Sequence, residues 1–296
     1  MIRKRSIGIL PILILFLYIN IHCQDKIFRF AFMTDIHISQ DSTSILGFTS
    51  ALTHAKTLKP DFIITGGDLI MNNPGTRYES VVDQFTNFIK LTQSLTMPVY
   101  PTVGNHDVVG IYQPPDFPAD HPDAGKKLFL NVFNLPVPYY SFDHKGWHFI
   151  IFDDIKITPD RHYEGFIDST QRAWLRKDLK NISSDTPIVV TLHIPMVSVY
   201  QQVAQSTIKP LPPSNILTDT PEILRLFKNK NLRLVLQGHL HIVEEMQVKS
   251  TLFLTGGAVC GAWWHGAKDG FQPGFFLISI DKNTINREYI TYFNKP

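Results

Sequence analysis

Short apolar runs alternate with amphipathic segments along the chain, and this pattern predicts an α/β fold. Five runs of strand length occupy residues 27–33, 61–65, 99–103, 188–192 and 232–236. Between the first three runs, apolar positions recur at helical spacing over 44–58 and 78–95. Strands and helices that alternate in this way predict a largely parallel central sheet, with the carboxyl ends of its strands along one edge.

The remaining segments predict a shorter set of elements. They comprise a helix at 124–133, a hairpin of 139–142 and 147–152, a helix starting at Asp168 or Ser169, a short helix starting at Thr220, and a β-rich C-terminal part. The proline-rich stretch 108–138 is expected to form a rim or lid beside a strand-end site. His144 and His148 lie in the hairpin and are not expected to be catalytic.

The first 23 residues have a different pattern. Arg3, Lys4 and Arg5 precede a 15-residue apolar run at 7–21, as in a signal peptide. A run of that length falls short of the roughly 20 residues that span a bilayer, so export is favoured over a membrane anchor. A lipoprotein acylated at Cys23 is the weaker alternative, because His22 replaces the small residue expected there. We therefore predict a signal peptide at 1–23 and a single domain at 24–296, with no membrane span in the mature chain.

Composition then narrows the function classes. The chain is 44% hydrophobic and 18% charged, which is typical of a globular domain. Without residues 1–23, which hold three basic and no acidic side chains, the 28 Lys+Arg become 25 against 26 Asp+Glu. This balance, with no dense basic run, gives no nucleic-acid-binding surface. Cys260 would be the one cysteine left, so an intrachain disulfide is excluded.

Polar side chains follow all five apolar runs at the point where each run ends. A turn carboxylate or a buried histidine explains each one singly, but their shared position at five strand ends favours a common site. Carboxylate, amide and imidazole donors without a thiolate suit Mn, Fe, Co or Zn. Seven ligands exceed the shell of one ion, so two ions that share a carboxylate fit better. The candidate ligands are Asp35, His37, Asp68, Asn105, His193, His239 and His241.

The ordered motifs that contain these residues resemble those of the calcineurin-like metallophosphoesterase superfamily, over nearly the whole mature chain. The resemblance implies an α/β (α+β) four-layer sandwich, in which two mixed β-sheets are flanked by helices. It also implies that Asp35, His37 and His241 hold one metal, that Asn105, His193 and His239 hold the other, and that Asp68 bridges them. The motifs are Asp35-Ile36-His37, Gly67-Asp68, Gly104-Asn105-His106-Asp107, His193 and Gly238-His239-Leu240-His241.

The same resemblance implies a mechanism. A hydroxide held by the metals attacks phosphorus in line, so no protein nucleophile is required. His106 would stabilise or protonate the departing alkoxide, while Asp107 either orients His106 or caps the following turn. Met71 stands where purple acid phosphatases place a tyrosine ligand. The chain is therefore closer to the bacterial branch that is similar to cyclic-nucleotide and glycerophosphodiester phosphodiesterases.

Three functions remain open at this point. An exported phosphodiesterase acting on a small-molecule phosphoester is favoured, a phosphomonoesterase is second, and a non-catalytic metal-binding scaffold is third. The scaffold predicts missing ligands, and none is missing. The neighbouring Trp263 and Trp264 either stack on a base or sugar of the substrate or close the core against the last strands. A substrate cleft could be lined by Asn72, Asn73, Tyr112, His121, Asp153, Trp263, Trp264 and His265.

Overall fold

The protein is described by a computed structural model that covers residues 27–205 and 208–292. The predicted signal peptide at 1–23 lies outside these residues. No helix within them is both long and apolar enough to cross a membrane. The strands are β1 (Phe28–Met33), β2 (Phe62–Thr65), β3 (Val99–Tyr100), β4 (Tyr140–His144), β5 (Trp147–Ile151), β6 (Ile155–Ile157), β7 (Tyr163–Gly165), β8 (Pro187–Thr191), β9 (Asn231–Gln237), β10 (Glu244–Val248), β11 (Thr251–Thr255), β12 (Gly274–Asp281) and β13 (Thr284–Thr291). The α-helices are α1 (Ser42–Leu58), α2 (Tyr78–Thr92), α3 (Lys127–Phe133), α4 (Ser169–Lys180), α5 (Tyr200–Ala204) and α6 (Thr220–Leu226), and a 3-10 turn spans Asn105–Asp107.

Two mixed sheets form the framework. The first has the order β13-β12-β1-β2-β3, in which β1, β2 and β3 are parallel. The second has the order β10-β11-β9-β8-β5-β4, in which β11, β9, β8 and β5 are parallel. The two mixed sheets implied by the family resemblance are confirmed, whereas the alternation of strands and helices alone indicated only a largely parallel central sheet. Strand periodicity indicates parallel pairing but does not reveal that the β4–β5 hairpin starts a second sheet.

An aromatic layer separates the two sheets. Phe28, Phe30 and Phe32 alternate along β1 and point towards the second sheet, as period-two geometry requires. The Phe30 and Phe62 rings stack with centroids 5.0 Å apart, and Phe149 of β5 meets Phe62 edge-on at 5.3 Å. Each buried phenylalanine side chain contributes about 1.5–3 kcal/mol of transfer free energy to the stability of this layer.

Helices cover the outer face of each sheet. Ala31 and Met33, which alternate with the phenylalanines of β1, pack in one cluster with Phe48 of α1 and Phe85 of α2. On the other side, β5, β8 and β9 pack against α4 and α6 in a separate cluster. The order helix, sheet, sheet, helix confirms the four-layer sandwich implied by the family resemblance.

Some elements differ from the sequence-based predictions. The strand expected over 99–103 shrinks to the two residues of β3, because the chain then extends into the loop that carries Asn105. The small β6–β7 ribbon and the one-turn helix α5 were not predicted. Elements of three to five residues are too short for a periodic pattern, so the sequence carries no clear signal for them.

His148 lies in β5 between two carboxylates, away from the strand-end residues. Its Nδ1 is 2.7 Å from Asp143 Oδ1, and its Nε2 is 2.8 Å from Asp178 Oδ2. Burial lowers the pKa of His148, but the hydrogen bonds to Asp178 and Asp143 outweigh burial and raise the pKa above 6.5. The two hydrogen bonds favour the protonated form of His148, and the bond to Asp178 ties the second sheet to α4.

This arrangement predicts a pH-dependent effect of the His148→Gln substitution. Because the folded-state pKa is raised, the stabilisation is fully present below pH 6.5 and is lost as the pH rises through the folded-state value. The variant should lose about 1–2 kcal/mol of unfolding free energy at pH 6 and less at pH 9. Urea titrations at several pH values measure this difference. Exposed His54 supplies the control His54→Gln, and a pH-independent difference for His148→Gln would contradict the prediction.

Candidate metal centre

The seven predicted ligands lie together where the carboxyl ends of β1, β2, β3, β8 and β9 converge. Asp68 occupies the middle of the group. Its Oδ2 lies 3.1 Å from Nε2 of His193 and 3.7 Å from Nε2 of His37. One carboxylate thus faces imidazoles from both sheets, which is the placement that a bridging ligand needs.

The other ligands form two sets on either side of Asp68. In the first set, Nε2 of His241 is 3.1 Å from Nε2 of His37 and 3.3 Å from Oδ1 of Asp35. In the second set, Nε2 of His193 is 3.1 Å from both Asn105 Oδ1 and His239 Nδ1. Metal–ligand bonds of about 2.0–2.2 Å place neighbouring ligand atoms about 3–3.5 Å apart. The donor atoms therefore fit two ions.

Backbone carbonyls orient two of the imidazoles. His193 Nδ1 is 2.7 Å from Gly66 O, and His241 Nδ1 is 2.7 Å from Gly261 O. A carbonyl only accepts, so each Nδ1 carries the proton in the neutral ring and each Nε2 presents its lone pair to the centre. Such contacts fix the tautomer that a metal ligand requires.

His239 and Asn105 are oriented by side chains instead. Asn215 Oδ1 lies 3.3 Å from Nε2 of His239, which leaves Nδ1 of that ring facing the centre. Nδ2 of Asn105 donates to Tyr112 Oη at 2.8 Å, which turns Oδ1 of Asn105 towards His193. The sequence analysis missed Asn215, which lies in the proline-bearing loop before α6 where no periodic signal marks it.

Backbone strain concentrates at the same positions. Five of the seven candidate ligands have φ between 49° and 72°, a left-handed conformation that costs a non-glycine residue about 1–2 kcal/mol. Strained backbone of this kind clusters at functional sites, where it aims side chains at a ligand. The five are Asp35, His37, Asp68, His239 and His241.

Two glycines allow the loops to approach closely. A Cβ on Gly104 would lie 2.2 Å from both the backbone nitrogen and Oδ1 of Asp68. A Cβ on Gly67, where φ is 89°, would lie 2.5 Å from Nδ1 of His193. Any side chain at either position would displace a candidate ligand. These glycines in the Gly-Asp and Gly-Asn-His-Asp motifs are therefore steric requirements of the site.

His106 lies beside the centre, and one of its ring nitrogens forms a hydrogen bond outside the centre. Its Nδ1 is 2.5 Å from Met71 O, so Nδ1 donates and Nε2 is the nitrogen directed to the site, 4.0 Å from Asp68 Oδ2. The His106 ring also meets the ring of His37 edge-on with centroids 4.6 Å apart. His106 is partly exposed, so a substrate atom can reach it.

Asp107 has a positioning role and does not contact the His106 ring. Its carboxylate accepts hydrogen bonds from the backbone nitrogens of Gly104 at 2.8 Å and Leu69 at 2.9 Å. Burial and the charge of Asp68 raise the pKa of Asp107 to about 8. Asp107 thus joins its own turn to the loop that follows Asp68, instead of capping the turn that follows it. A catalytic role for Asp107 stays a prediction.

Asp154 was missed by the sequence analysis and anchors His193. The carboxylate accepts from the backbone nitrogens of His193 at 3.2 Å and Ile194 at 2.7 Å. Burial raises the pKa of Asp154 to about 7. The available signal was the Asp153-Asp154 pair, which Phe152 separates from β5, at a strand end of the same kind as the five used in the prediction.

The ionisable groups of the site shift one another's pKa values. Burial raises the pKa of Asp35, but the charge of His241 outweighs burial and lowers it to about 2. Burial lowers the pKa of His193, but Asp68 outweighs burial and raises it to about 10. Burial and His193 lower the pKa of His239 to about 3. The buried carboxylates are thus balanced by protons on imidazole, and a cation would displace those protons.

Metal binding is therefore expected to stabilise the fold. An ion at a hundred times its Kd adds about 2.7 kcal/mol of unfolding free energy. For a domain of this size, that raises the Tm by about 5–10 °C. Differential scanning fluorimetry with added Mn²⁺, before and after EDTA, measures the shift. Its control is His239→Ala, which should show a smaller response, and equal Tm values with Mn²⁺ and with EDTA would contradict the prediction.

The eight residues proposed to line a substrate cleft do not all do so. Asn73, Trp263, Trp264 and His265 line one cleft that borders the candidate centre, and Tyr112 contacts Asn105. The other three lie elsewhere. Asn72 is buried and its Nδ2 donates to His106 O, His121 packs on Tyr78, and Asp153 pairs with Lys126.

Solved structures share this fold. A dimetal phosphatase from Danio rerio aligns over 90% of this chain and 99% of its own with 12% identity and a TM-score of 0.62. PhoD aligns over 90% of this chain and 68% of its own with 12% identity and a TM-score of 0.57. GAP50, the anchor in the inner membrane complex of Plasmodium, aligns over 90% and 85% with 16% identity and a TM-score of 0.51. At these identities the likeness shows the fold alone.

Sequence comparison identifies the family. No curated protein matches the sequence at a significant level. The family model for calcineurin-like phosphoesterases matches residues 28–243, which include all seven candidate ligands and His106. Members of this family are typically dependent on two metal ions, in agreement with the two donor sets around Asp68. The chain therefore belongs to the calcineurin-like phosphoesterase family and is a hydrolase that acts on phosphoester bonds.

Proposed function

We propose that the protein is an exported phosphodiesterase that depends on two metal ions. The observation that carries this proposal is the pair of donor sets sharing Asp68, with His106 Nε2 directed at their edge. Two bound ions supply Lewis-acid stabilisation of charge at a phosphoryl group. The chain holds those ions, orients the ester and provides a proton at Nε2 of His106 for the departing oxygen.

The charge around the site favours a diester over a monoester. Within the described part of the chain, no Lys or Arg side chain forms a hydrogen bond or ion pair with the seven candidate ligands or His106. A monoester dianion carries one more negative charge than a diester, and Arg or Lys side chains commonly bind phosphate through charge-assisted hydrogen bonds. A phosphomonoesterase is the second candidate. In that case the two metal ions alone would have to balance both negative charges of the monoester.

Two chromogenic substrates test this proposal. With Mn²⁺ added, the value of kcat/KM for bis(p-nitrophenyl) phosphate should exceed that for p-nitrophenyl phosphate. The His193→Ala variant, purified in the same way, should lack both activities and so controls for contaminating hydrolases. A clear preference for the monoester would reverse the assignment. Fewer than one bound ion per chain, with neither ester hydrolysed, would contradict metal-dependent hydrolysis itself.

Export is tested separately. The apolar run at 7–21 after Arg3, Lys4 and Arg5 supports a cleaved leader. When the full sequence is expressed, the protein recovered outside the cytoplasm should therefore have its N-terminus near Gln24. N-terminal sequencing of the recovered protein measures the cleavage position. Lipid attached to Cys23 would favour the lipoprotein alternative, and an intact N-terminus in the cytoplasm would contradict export.

A further inference from the structure

The adjacent tryptophans Trp263 and Trp264 have different surroundings. Trp264 is 7% exposed, and its Nε1 donates to His37 O at 2.9 Å. Its ring also lies against Gly47 of α1, where a Cβ would come within 2.2 Å. Trp264 therefore closes the core. Trp263, by contrast, is 41% exposed.

Trp263 borders the candidate metal centre. Its ring centroid is 4.7 Å from that of His241 and 6.2 Å from that of His37. Trp263 and Trp264 both have positive φ, at 48° and 71°. This strained turn sends one indole into the core and the other to the surface beside the ligands. An aromatic face is thus held at the edge of the site by a backbone that costs energy to form.

Trp263 forms one wall of an open cleft of about 560 Å³. Met71 lies in the same cleft, and its carbonyl is the group that orients His106. The cleft therefore adjoins the loop that orients His106, the residue proposed to protonate the departing oxygen. On that basis the cleft is assigned to the leaving group of the ester.

The charge of the cleft restricts what it can hold. Asp41 is the one carboxylate among its described lining residues, and no Lys or Arg lines it. The other polar groups are neutral amides and hydroxyls, together with exposed His265. A leaving group with a second phosphate would meet no cation there. The lining residues away from the tryptophans are Ser39, Gln40, Asp41, Thr43, Met71, Asn73, Thr76 and Gln84.

We propose that this cleft binds an uncharged planar ring of the leaving group, stacked on the exposed face of Trp263. The inference rests on the proposed phosphoester hydrolysis. An aromatic side chain can stack on any base or aryl ring, because each has a π-face. Such stacking is strong enough to set substrate preference. The side-chain amide of Asn73, which also lines the cleft, would hydrogen-bond ring substituents. Trp263 is thus a specificity residue for the part of the ester that departs.

Kinetics with two kinds of diester test the proposal. Trp263→Ala should raise the KM for bis(p-nitrophenyl) phosphate about tenfold, while kcat changes little. Hydrolysis of glycerophosphocholine, which has no ring, should stay within about twofold of wild type. Trp263→Phe should restore most of the loss. Trp263→Leu retains an apolar cover over His241 without the aromatic face and should behave like Trp263→Ala with unchanged metal content.

Binding without turnover separates this inference from the proposed function. Adenosine should quench tryptophan fluorescence of the metal-free wild-type protein, and Trp263→Phe should remove most of that quenching. Equal quenching in both proteins, or equal kinetic losses on ring-bearing and ring-free diesters, would overturn the inference. Wild-type protein that hydrolyses no ester but still shows Trp263-dependent quenching would refute the proposed function while supporting the cleft.

Discussion

Replacement of Asp68 by asparagine is expected to cause the largest loss of activity of any single substitution. Asparagine keeps the shape of the side chain but removes the negative charge that faces His193 at 3.1 Å and His37 at 3.7 Å. Loss of several kcal/mol of charge stabilisation corresponds to a fall in kcat/KM on the order of a thousandfold. Kinetics with bis(p-nitrophenyl) phosphate and metal analysis measure this fall.

The metal content is the more direct readout for Asp68→Asn. Because Asp68 lies between both donor sets, we expect the variant to retain at most one ion per chain. The control is Asp219→Asn, which removes a buried carboxylate that pairs with Arg172 away from the centre. That control should lose stability but keep its metals. A variant Asp68→Asn with two ions and full activity would exclude the bridging assignment.

His106→Ala should lower turnover by about 10²–10⁴-fold while both metals are retained. Its Nδ1 is held by Met71 O, and the ring contacts a ligand without being one, so removal leaves the donor sets in place. The loss should be greater for an alkyl leaving group than for p-nitrophenolate. An alkoxide must be protonated to depart, whereas p-nitrophenolate departs readily as an anion.

The matched control for this substitution is His265→Ala, which removes an exposed histidine in the adjoining cleft. It should affect kcat far less than His106→Ala does. Equal losses on alkyl and aryl esters would show that His106 does not act as the acid. If the His106→Ala variant lost metal, His106 would instead be a metal ligand.

The sequence predicted the composition of the site because the site is built from strand ends. An apolar run that stops at Asp35, Asp68 or His193 is a local signal, and parallel pairing brings such ends together. The strand ends were therefore recoverable from periodicity, and the division into two sheets from the family motifs. The assignment of individual ligands to each ion remains a prediction.

Hydrogen bonds between side chains and backbone amides could not be predicted in the same way. Asp154 accepts such bonds from His193 and Ile194, and Asp107 accepts them from Gly104 and Leu69. An amide nitrogen is present at nearly every residue, so no residue type marks where such a bond will form. The opposite surroundings of Trp263 and Trp264 likewise depend on two positive φ angles, which neither residue type predicts.

The aromatic layer has a consequence for how the site could be modified. Asp35, His37 and Asn105 extend from the first sheet, whereas His193, His239 and His241 extend from the second. The thickness of the layer formed by Phe30, Phe62 and Phe149 therefore fixes the distance between ligands of different sheets. Protein engineers could use those three positions to change the preferred ionic radius, and so the choice of metal, without altering any ligand.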